Sequence, residues 1–296
     1  MKRKTYKNII RALVVISLIQ LPIKTAFASL TLNAKMEGIP LAESLLVFED
    51  PEGKKTLEEI AKMPESYFSH LKKGNVNMGY SNSTFWFRLT VINPLKEKKD
   101  WIFKSEYPLL DYISIYIPAE FGYHIIHAGD RLPFSSMPYG YFNFITRIRT
   151  NPGTSTIFIK IKSEGSLIAK FSAWDDASFN QHLFNTITAF WLFNGIMIAL
   201  LIYSLFIFIS TKDNLYFWLF TLIGSTLMFV FIHSGMARKY LWGDSPFWAN
   251  YSHPFFIFIA ITSLSLFTRN FFNTKLYIPT IDKLLIIFSI ISAAAA

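Results

Sequence analysis

The stretch TFWFRLTVIN, residues 84–93, decides the architecture of the first half of the chain. Every second position from Phe85 to Val91 carries a large apolar side chain, and the positions between them are mostly polar. Because successive side chains of a strand point to opposite faces, this alternation predicts a strand with one face in an apolar core. Asn93 and Pro94 are turn residues and predict where the strand ends.

Further alternating runs lie on both sides of this strand. Asn151, Pro152 and Gly153 separate two of them and predict a hairpin turn. Residues 56–68 are predicted to form the one helix of this half. Short strands between turns, with little helix, favour a two-sheet sandwich or jelly roll. The inward-facing positions are predicted at Ile113, Ile115 and Ile117 in residues 109–118, at Phe142, Phe144 and Ile148 in residues 141–149, and at Ile157, Ile159 and Ile161 in residues 156–162.

The second half of the chain is far more apolar. Charge-free stretches cover residues 183–211, 215–237 and 245–268, and each is long enough to cross a hydrocarbon core of about 30 Å. A fourth apolar stretch starts at Leu284 and is followed closely by the last residue, so we expect the protein to continue beyond it. The predicted fold class is an all-β exported domain, residues 29–180, followed by an all-α transmembrane helix bundle, residues 181–296, with three complete spans and part of a fourth.

The N terminus predicts export. Five basic residues within the first eleven precede an apolar run from Ala12 to Leu21, and the small-x-small stretch Ala26-Phe27-Ala28 follows. This order is typical of a secretory signal peptide, here residues 1–28. About ten apolar residues are too few to span a membrane, so an uncleaved anchor is the less favoured alternative. The first span then runs inward, which places Lys212 in the cytoplasm and Arg238 outside.

The overall composition limits the classes of partner. The chain carries 17% charged residues, a net charge of +9 and no cysteine. Soluble proteins carry about 25% charged residues, so this composition favours contact with membrane lipid. The basic residues form no dense stripe outside the N terminus, so nucleic-acid binding is not expected. Without cysteine the chain has no disulfide, thiolate metal site or cysteine nucleophile.

Aromatic side chains supply the candidate ligand-binding residues. Trp86 and Arg88 share one face of the 84–93 strand, where they would offer a stacking ring and a bidentate donor to a sugar or a carboxylate. The alternative for both is structural packing. Tyr139 and Tyr141 rank first among the other candidates because they lie at a predicted loop on a rigid scaffold. Trp101 completes the predicted set, and Tyr107 and Trp174 are further aromatic candidates for which packing is favoured.

Catalytic, metal and cofactor sites are not predicted. His124 and His127 lie three residues apart in a predicted strand, and neither a cysteine nor a carboxylate pair completes a metal set. The chain has no Gly-x-Ser-x-Gly elbow and no phosphate-binding Gly-Lys-Ser/Thr loop. Asn194, His233 and His253 are polar residues in or near the spans. Helix–helix hydrogen bonding is favoured for Asn194, and His233 and His253 are placed near the outer interface, where pH sensing is the less favoured alternative.

Several separate motifs together resemble the bacterial family of seven-transmembrane receptors with diverse intracellular signalling modules, including its extracellular jelly-roll domain. The order and spacing of the motifs, rather than any single one, make the likeness specific. In the outer domain they are residues 79–93, Gly129-Asp130 and residues 157–166, and in the membrane part they are Asn194-Gly195, residues 212–217, Gly235 and residues 239–242.

The resemblance implies a receptor in the bacterial inner membrane. The outer domain of this family resembles carbohydrate-binding modules, so a small-molecule ligand, with carbohydrate as one class, is expected. The helices are expected to relay the signal to a cytoplasmic module such as a histidine kinase, a diguanylate or nucleotide cyclase, or a phosphatase, whose motifs do not occur in this chain. Homodimerisation is expected from signalling logic.

Two other classes of function stay open. The first is a component of envelope polysaccharide transport or assembly, with a carbohydrate-binding outer domain. The second, less favoured because no catalytic set can be assembled, is a membrane-bound enzyme that acts on envelope lipids or sugars.

Overall fold

The computed structural model describes residues 28–71 and 77–296. The predicted signal peptide lies outside the described residues except for Ala28. Two β-sheets are followed by apolar helices, which confirms the predicted fold class. The strands are β1 (Ser29–Thr31), β2 (Glu37–Pro40), β3 (Leu45–Asp50), β4 (Ser69–His70), β5 (Thr84–Asn93), β6 (Lys99–Ser105), β7 (Tyr112–Pro118), β8 (Tyr123–Ala128), β9 (Ile145–Thr150), β10 (Gly153–Lys162) and β11 (Phe171–Trp174).

The strands form two stacked layers. The first sheet has the order β4-β3-β5-β10-β7-β8, and β1 pairs in parallel with the end of β5 that β3 leaves open. The second sheet has the order β2-β11-β6-β9. A shared core lies between them, and it contains the inward-facing side chains of β5 together with Trp101 and Phe103 of β6. Complete burial of one such side chain, for example Phe87, stabilises the fold by about 1.5–3 kcal/mol.

The central strand is confirmed at both ends, because β5 covers residues 84–93. The structure corrects three local predictions. Asn151-Pro152-Gly153 is not a hairpin turn, because β9 pairs with β6 in the second sheet whereas β10 pairs with β5 and β7 in the first. Residues 141–144 precede β9 rather than belonging to it. The predicted helix over residues 56–68 ends early, at Lys62.

The short helix α1 (Leu57–Lys62) has signals at both ends that explain its length. The Thr56 hydroxyl oxygen accepts from the Glu59 amide, and the Glu59 carboxylate accepts from the Thr56 amide, which together form a capping box. The residue before a proline is disfavoured in helical conformation, and Met63 precedes Pro64. A short 3₁₀ turn, Glu65–Tyr67, follows instead.

The second half is helical, with α2 (Asp176–Thr211), α3 (Asn214–His233), α4 (Pro246–Phe271), α5 (Thr274–Tyr277) and α6 (Pro279–Ala295). Among the described residues, α2, α3 and α4 are long and apolar enough to cross a membrane, as the three charge-free stretches predict. The apolar stretch predicted from Leu284 lies within α6. A π-helical turn, Arg238–Trp242, lies between α3 and α4.

The passage from sheet to membrane is short. Asp175 alone separates β11 from α2, so the first membrane helix starts before the predicted domain boundary at residue 181. The Asp175 side chain accepts hydrogen bonds from the Ser178 amide of α2, at 2.8 Å, and from the Met36 amide of the outer domain, at 2.7 Å. One carboxylate therefore caps the helix and ties it to the sandwich.

Candidate functional site: the junction between the outer domain and the helices

Trp86 and Arg88 lie on the outer face of the first sheet, beneath α1. Trp86 is buried and its ring stacks on Tyr116 with 5.6 Å between the ring centres. The Nη2 atom of Arg88 donates to the carbonyl oxygens of Ile60, at 3.0 Å, and Met63, at 2.9 Å. Arg88 thus donates to two carbonyl groups at the C-terminal end of α1, and that of Ile60 also accepts from the Met63 amide.

The other predicted ligand-binding residues lie elsewhere. Trp101 is fully buried in the core, and its Nε1 atom donates to the Thr150 hydroxyl at 3.0 Å. Tyr141 is buried against Phe179 in the first turn of α2, and this burial raises its pKa. Tyr139 is 53% exposed at the membrane-proximal end of the sandwich. The structure therefore does not bring the five predicted residues together.

The outer domain is fastened to the turn between α3 and α4 by a buried arginine. The Nη2 atom of Arg238 donates to the carbonyl oxygens of Gly129, at 2.8 Å, and Leu132, at 2.6 Å. Beyond the same turn, the Asp244 side chain accepts a hydrogen bond of 2.7 Å from the Ser135 amide. Arg238 lies on the side of the bundle that holds the sandwich, in agreement with the predicted orientation. We call this contact the Arg238 clamp.

Two glycines allow the backbones at this junction to approach closely. Gly129 has a φ of +141°, and a Cβ atom there would lie 2.0 Å from the carbonyl oxygen of Asp111. Gly235 has a φ of +78°, and its Cβ atom would lie 2.7 Å from the carbonyl oxygen of Phe142. Both distances are far below van der Waals contact, so neither position accepts a side chain without movement of the backbone.

A cleft opens beside the clamp, between the outer domain and α4. Its volume is about 370 Å³, which is within the range of about 300–1,000 Å³ that is typical of small-molecule sites. We call it the junction cleft. Its polar lining comes from Tyr80, Tyr107, Asp111, Asp130, Arg131 and Glu164 of the outer domain and from Asn250 and His253 of α4.

Most charged groups of the junction cleft are paired with one another. Asp111 accepts a hydrogen bond of 2.6 Å from the Glu164 amide, and its other oxygen lies 3.6 Å from Nε of Arg131. Arg131 also donates from Nη2 to the Glu164 carboxylate at 3.0 Å. These contacts satisfy Asp111 and hold Arg131 between two carboxylates.

Asp130 differs from its charged neighbours. It is only 7% exposed, and its Oδ1 atom has no hydrogen-bond partner among the described residues. Burial, followed by the negative charge of Asp111 and a side-chain hydrogen bond with Asp111, raises the pKa of Asp130 to about 7, against the opposing effects of Arg238 and Arg131. This carboxyl group with a raised pKa lies where the outer domain meets the membrane helices.

The junction cleft lacks the features of a metal site. Within residues 28–71 and 77–296, three or more histidine, aspartate or glutamate side chains nowhere come together in a group that could hold a metal ion. The cleft presents one buried carboxylate oxygen without a partner, aromatic rings and a helix. This arrangement is suited to recognising a small organic molecule.

Sequence reasoning did not select Asp111, Asp130, Arg131 or Arg238 as site residues. The motif Gly129-Asp130 was the part of the sequence that could have indicated this site, but it was used only as one of the motifs that resemble the family. Its glycine provides the close approach to Asp111, and its aspartate carries the unpartnered oxygen.

An outer β-sandwich that is clamped onto a bundle of membrane-spanning helices defines a receptor-like membrane protein. Comparison with protein families agrees with this class. The extracellular domain 2 of the 7TMR-DISM family matches residues 42–175, and the 7TM diverse intracellular signalling domain matches residues 186–296. The chain belongs to this family of receptors, whose role is sensory and signalling, and its N-terminal domain is extracellular. A search of curated proteins found no match.

Proposed function

We propose that this protein is a signal-transduction receptor of the bacterial inner membrane. Its outer domain binds a small molecule, with carbohydrate as one class of ligand, and its helices relay the binding to a cytoplasmic output module, within a homodimer. The observation that carries the proposal is the Arg238 clamp. A guanidinium group between two membrane helices donates to two carbonyl groups of the domain that would bind the ligand.

The clamp provides a physical route for the relay. Hydrogen bonds from a charged donor contribute about 1.5–3 kcal/mol each, and Arg238 is buried, so separation from the sandwich would leave a cation without partners. A displacement of residues 129–132 therefore moves the turn between α3 and α4 with it. A ligand shifts the helices only as far as its affinities for the two arrangements differ.

The alternative of polysaccharide transport or assembly does not require this contact. A domain that only recruits a polysaccharide functions equally well when a flexible linker joins it to the membrane helices. In this chain the sandwich is joined to α2 through Asp175 and to the turn between α3 and α4 through Arg238. Two fixed attachments favour the transmission of a conformational change.

The absence of cysteine allows a direct test by spin labelling. Thr154 is exposed in the outer domain, and Lys275 is exposed in α5, just beyond the predicted cytoplasmic end of α4, so Thr154→Cys with Lys275→Cys introduces the only two thiols. The full chain in lipid nanodiscs is titrated with sugars, small organic acids and amines. Calorimetry measures binding, and electron–electron double resonance measures the distance between the labels.

We expect one of these compounds to bind and to change the distance distribution. Arg238→Gln should keep the binding and lose the distance change. Lys239→Gln removes the adjacent cation, which makes no hydrogen bond to the outer domain among the described contacts, and should behave like the wild type. Binding that leaves the distances unchanged in the wild type would overturn the relay, and failure of every compound would overturn the small-molecule ligand.

A further inference from the structure

We infer that the junction cleft binds a small organic cation whose ammonium group donates a hydrogen bond to Oδ1 of Asp130. The inference rests on the proposed function, because it names the class of ligand that the receptor would recognise. It is carried by the polar atoms that the cleft leaves without partners.

The first argument concerns the Asp130 carboxylate. Its Oδ1 atom is buried and lacks a hydrogen-bond partner, whereas Asp111 and Arg131 beside it are held in mutual contacts. Buried polar atoms in folded proteins nearly always have a partner, and Asp130 lines the cleft, so its unpartnered oxygen points to a donor supplied by a ligand. A carboxylate oxygen accepts most strongly from a cationic donor.

The second argument comes from the opposite wall, which α4 provides. The Nε2 atom of His253 is buried and also lacks a partner. Pro254 lies inside the helix and has no amide hydrogen, so it cannot donate to the carbonyl group of Asn250. Asn250 and His253 both line the cleft. The His253 ring also packs against His233 and Phe229. A primary ammonium group carries three donor hydrogens, so it can donate to Asp130 and still bond to a further acceptor of the cleft lining.

Charge and shape favour an organic cation. Three carboxylates, of Asp111, Asp130 and Glu164, line the junction cleft, against the guanidinium of Arg131 in the lining and that of Arg238 beside Asp130. Tyr80 is 82% exposed and Tyr107 is half-buried, so two aromatic rings flank the acidic lining. A cation is attracted to an aromatic face, and an organic cation also fills apolar space beside it.

The position of the site connects binding to the helices. A ligand that bridges Asp130 and His253 would join the clamp loop of the outer domain to α4. Pro254 is adjacent to His253, and a proline inside a helix is a common cause of a kink. A bridging ligand would therefore act on α4 at a point where its hydrogen bonding is already interrupted.

The test uses 2-phenylethylamine and its neutral analogue 2-phenylethanol with the full chain in nanodiscs at pH 8, where Asp130 is mostly ionised. Calorimetry should detect binding of the amine, and the alcohol should bind at least about tenfold more weakly. Asp130→Asn should weaken amine binding about tenfold or more. Glu120→Gln, which removes an exposed carboxylate from the turn between β7 and β8, should leave it unchanged.

Two further measurements keep the inference falsifiable if Asp130→Asn does not fold. Tyr80→Ala removes an exposed ring and should weaken amine binding about threefold. Amine affinity of the wild type should fall as the pH is lowered from 8 to 6, because protonation of Asp130 competes with the ammonium group. Equal binding of amine and alcohol, or an amine affinity that none of these changes alters, would overturn the inference.

The outcome separates this inference from the proposed function. If a sugar binds and changes the label distance while the amine does not bind, the receptor function stands and the cation site is wrong. If the amine binds in an Asp130-dependent manner without a distance change, the cation site stands and the relay is wrong.

Discussion

Arg238 of the turn between the second and third membrane helices donates a hydrogen bond of 2.8 Å to the carbonyl oxygen of Gly129 in the outer domain. The two residues are 109 positions apart in the chain. The hydrogen bond joins the outer domain, which folds in water, to the bundle of helices, which folds in lipid. It also places a buried positive charge close enough to Asp130 to lower the pKa of that carboxyl group against the larger effect of burial. Four predictions follow from this junction and from the sandwich above it.

Loss of the clamp should loosen the loop that it holds. In Arg238→Gln the carbonyl groups of Gly129 and Leu132 lose their charged donor, and we expect the junction to be destabilised by about 2–4 kcal/mol. Hydrogen exchange of the amides of residues 130–132 should accelerate strongly. Lys239→Gln is the control, and exchange equally fast in both variants would contradict a specific role for Arg238.

Gly129→Ala should cost much more stability than Gly153→Ala. Both glycines have positive φ, of +141° and +93°, but only at Gly129 does a Cβ atom meet backbone, whereas at Gly153 nothing lies within 4 Å. Backbone strain affects both variants, and the clash adds to it at Gly129, so we expect a difference of about 2 kcal/mol or more. Denaturant unfolding of the full chain in detergent measures it, and similar losses would show that the loop yields easily.

The stability of the outer domain should fall as the pH rises from about 4 to 7. The pKa of Asp130 is raised from its ordinary value of 3.8 to about 7, so in this window the folded protein holds a proton that the unfolded chain has released. The stabilising contribution is complete below pH 3.8 and is lost as the pH approaches 7, by up to about 1.4 kcal/mol per pH unit.

Asp130→Asn should remove this slope, and Glu120→Gln should retain it. The groups that act on Asp130 are Asp111 and Arg131 of the outer domain, Tyr107, and Arg238 of the helical turn, and His253 of α4 lines the same cleft. Unfolding midpoints at pH 4.5, 5.5 and 6.5 for the three proteins provide the comparison. A wild-type slope that Asp130→Asn leaves intact would assign the titration to another group.

Arg88→Met should detach the short helix α1 without affecting a ligand in the junction cleft. Arg88 donates to the carbonyl groups of Ile60 and Met63, and its guanidinium lies 4.1 Å from the centre of the Phe68 ring. We expect a loss of about 2–3 kcal/mol and faster proteolysis within residues 56–68. If ligand affinity falls at constant folded fraction instead, the predicted binding role of Arg88 gains support.

The elements that depend on local pattern could be predicted from the sequence. The alternation in residues 84–93 requires a buried face, and β5 has the predicted bounds. The charge-free stretches similarly predict α2, α3 and α4, because an uncharged apolar segment of that length is stable only in lipid or a core. Strand pairing could not be predicted, because it depends on residues that are distant in the chain. The turn residues 151–153 therefore predicted a hairpin, although they connect a strand of one sheet to a strand of the other.

The junction cleft was beyond sequence reasoning for a related reason. Tyr80, Asp130, Glu164 and His253 are far apart in the chain, and only the packing of the sandwich on α4 brings them together. In the sequence a single aromatic residue indicates a ligand-binding position more strongly than carboxylates that are dispersed along the chain. Trp86 and Trp101 were therefore among the predicted binding residues. Both of these are buried in the described structure.

Asp175, the single residue between β11 and α2, bonds to Met36 of the sandwich and to the first turn of the helix. Because this connection is one residue long and is hydrogen-bonded on both sides, the sandwich cannot reorient above the bilayer independently of α2. Any rotation of the sandwich must therefore appear as a change in the tilt of α2 relative to the membrane normal. Oriented-sample infrared dichroism or solid-state NMR of that helix alone would report the state of the extracellular domain.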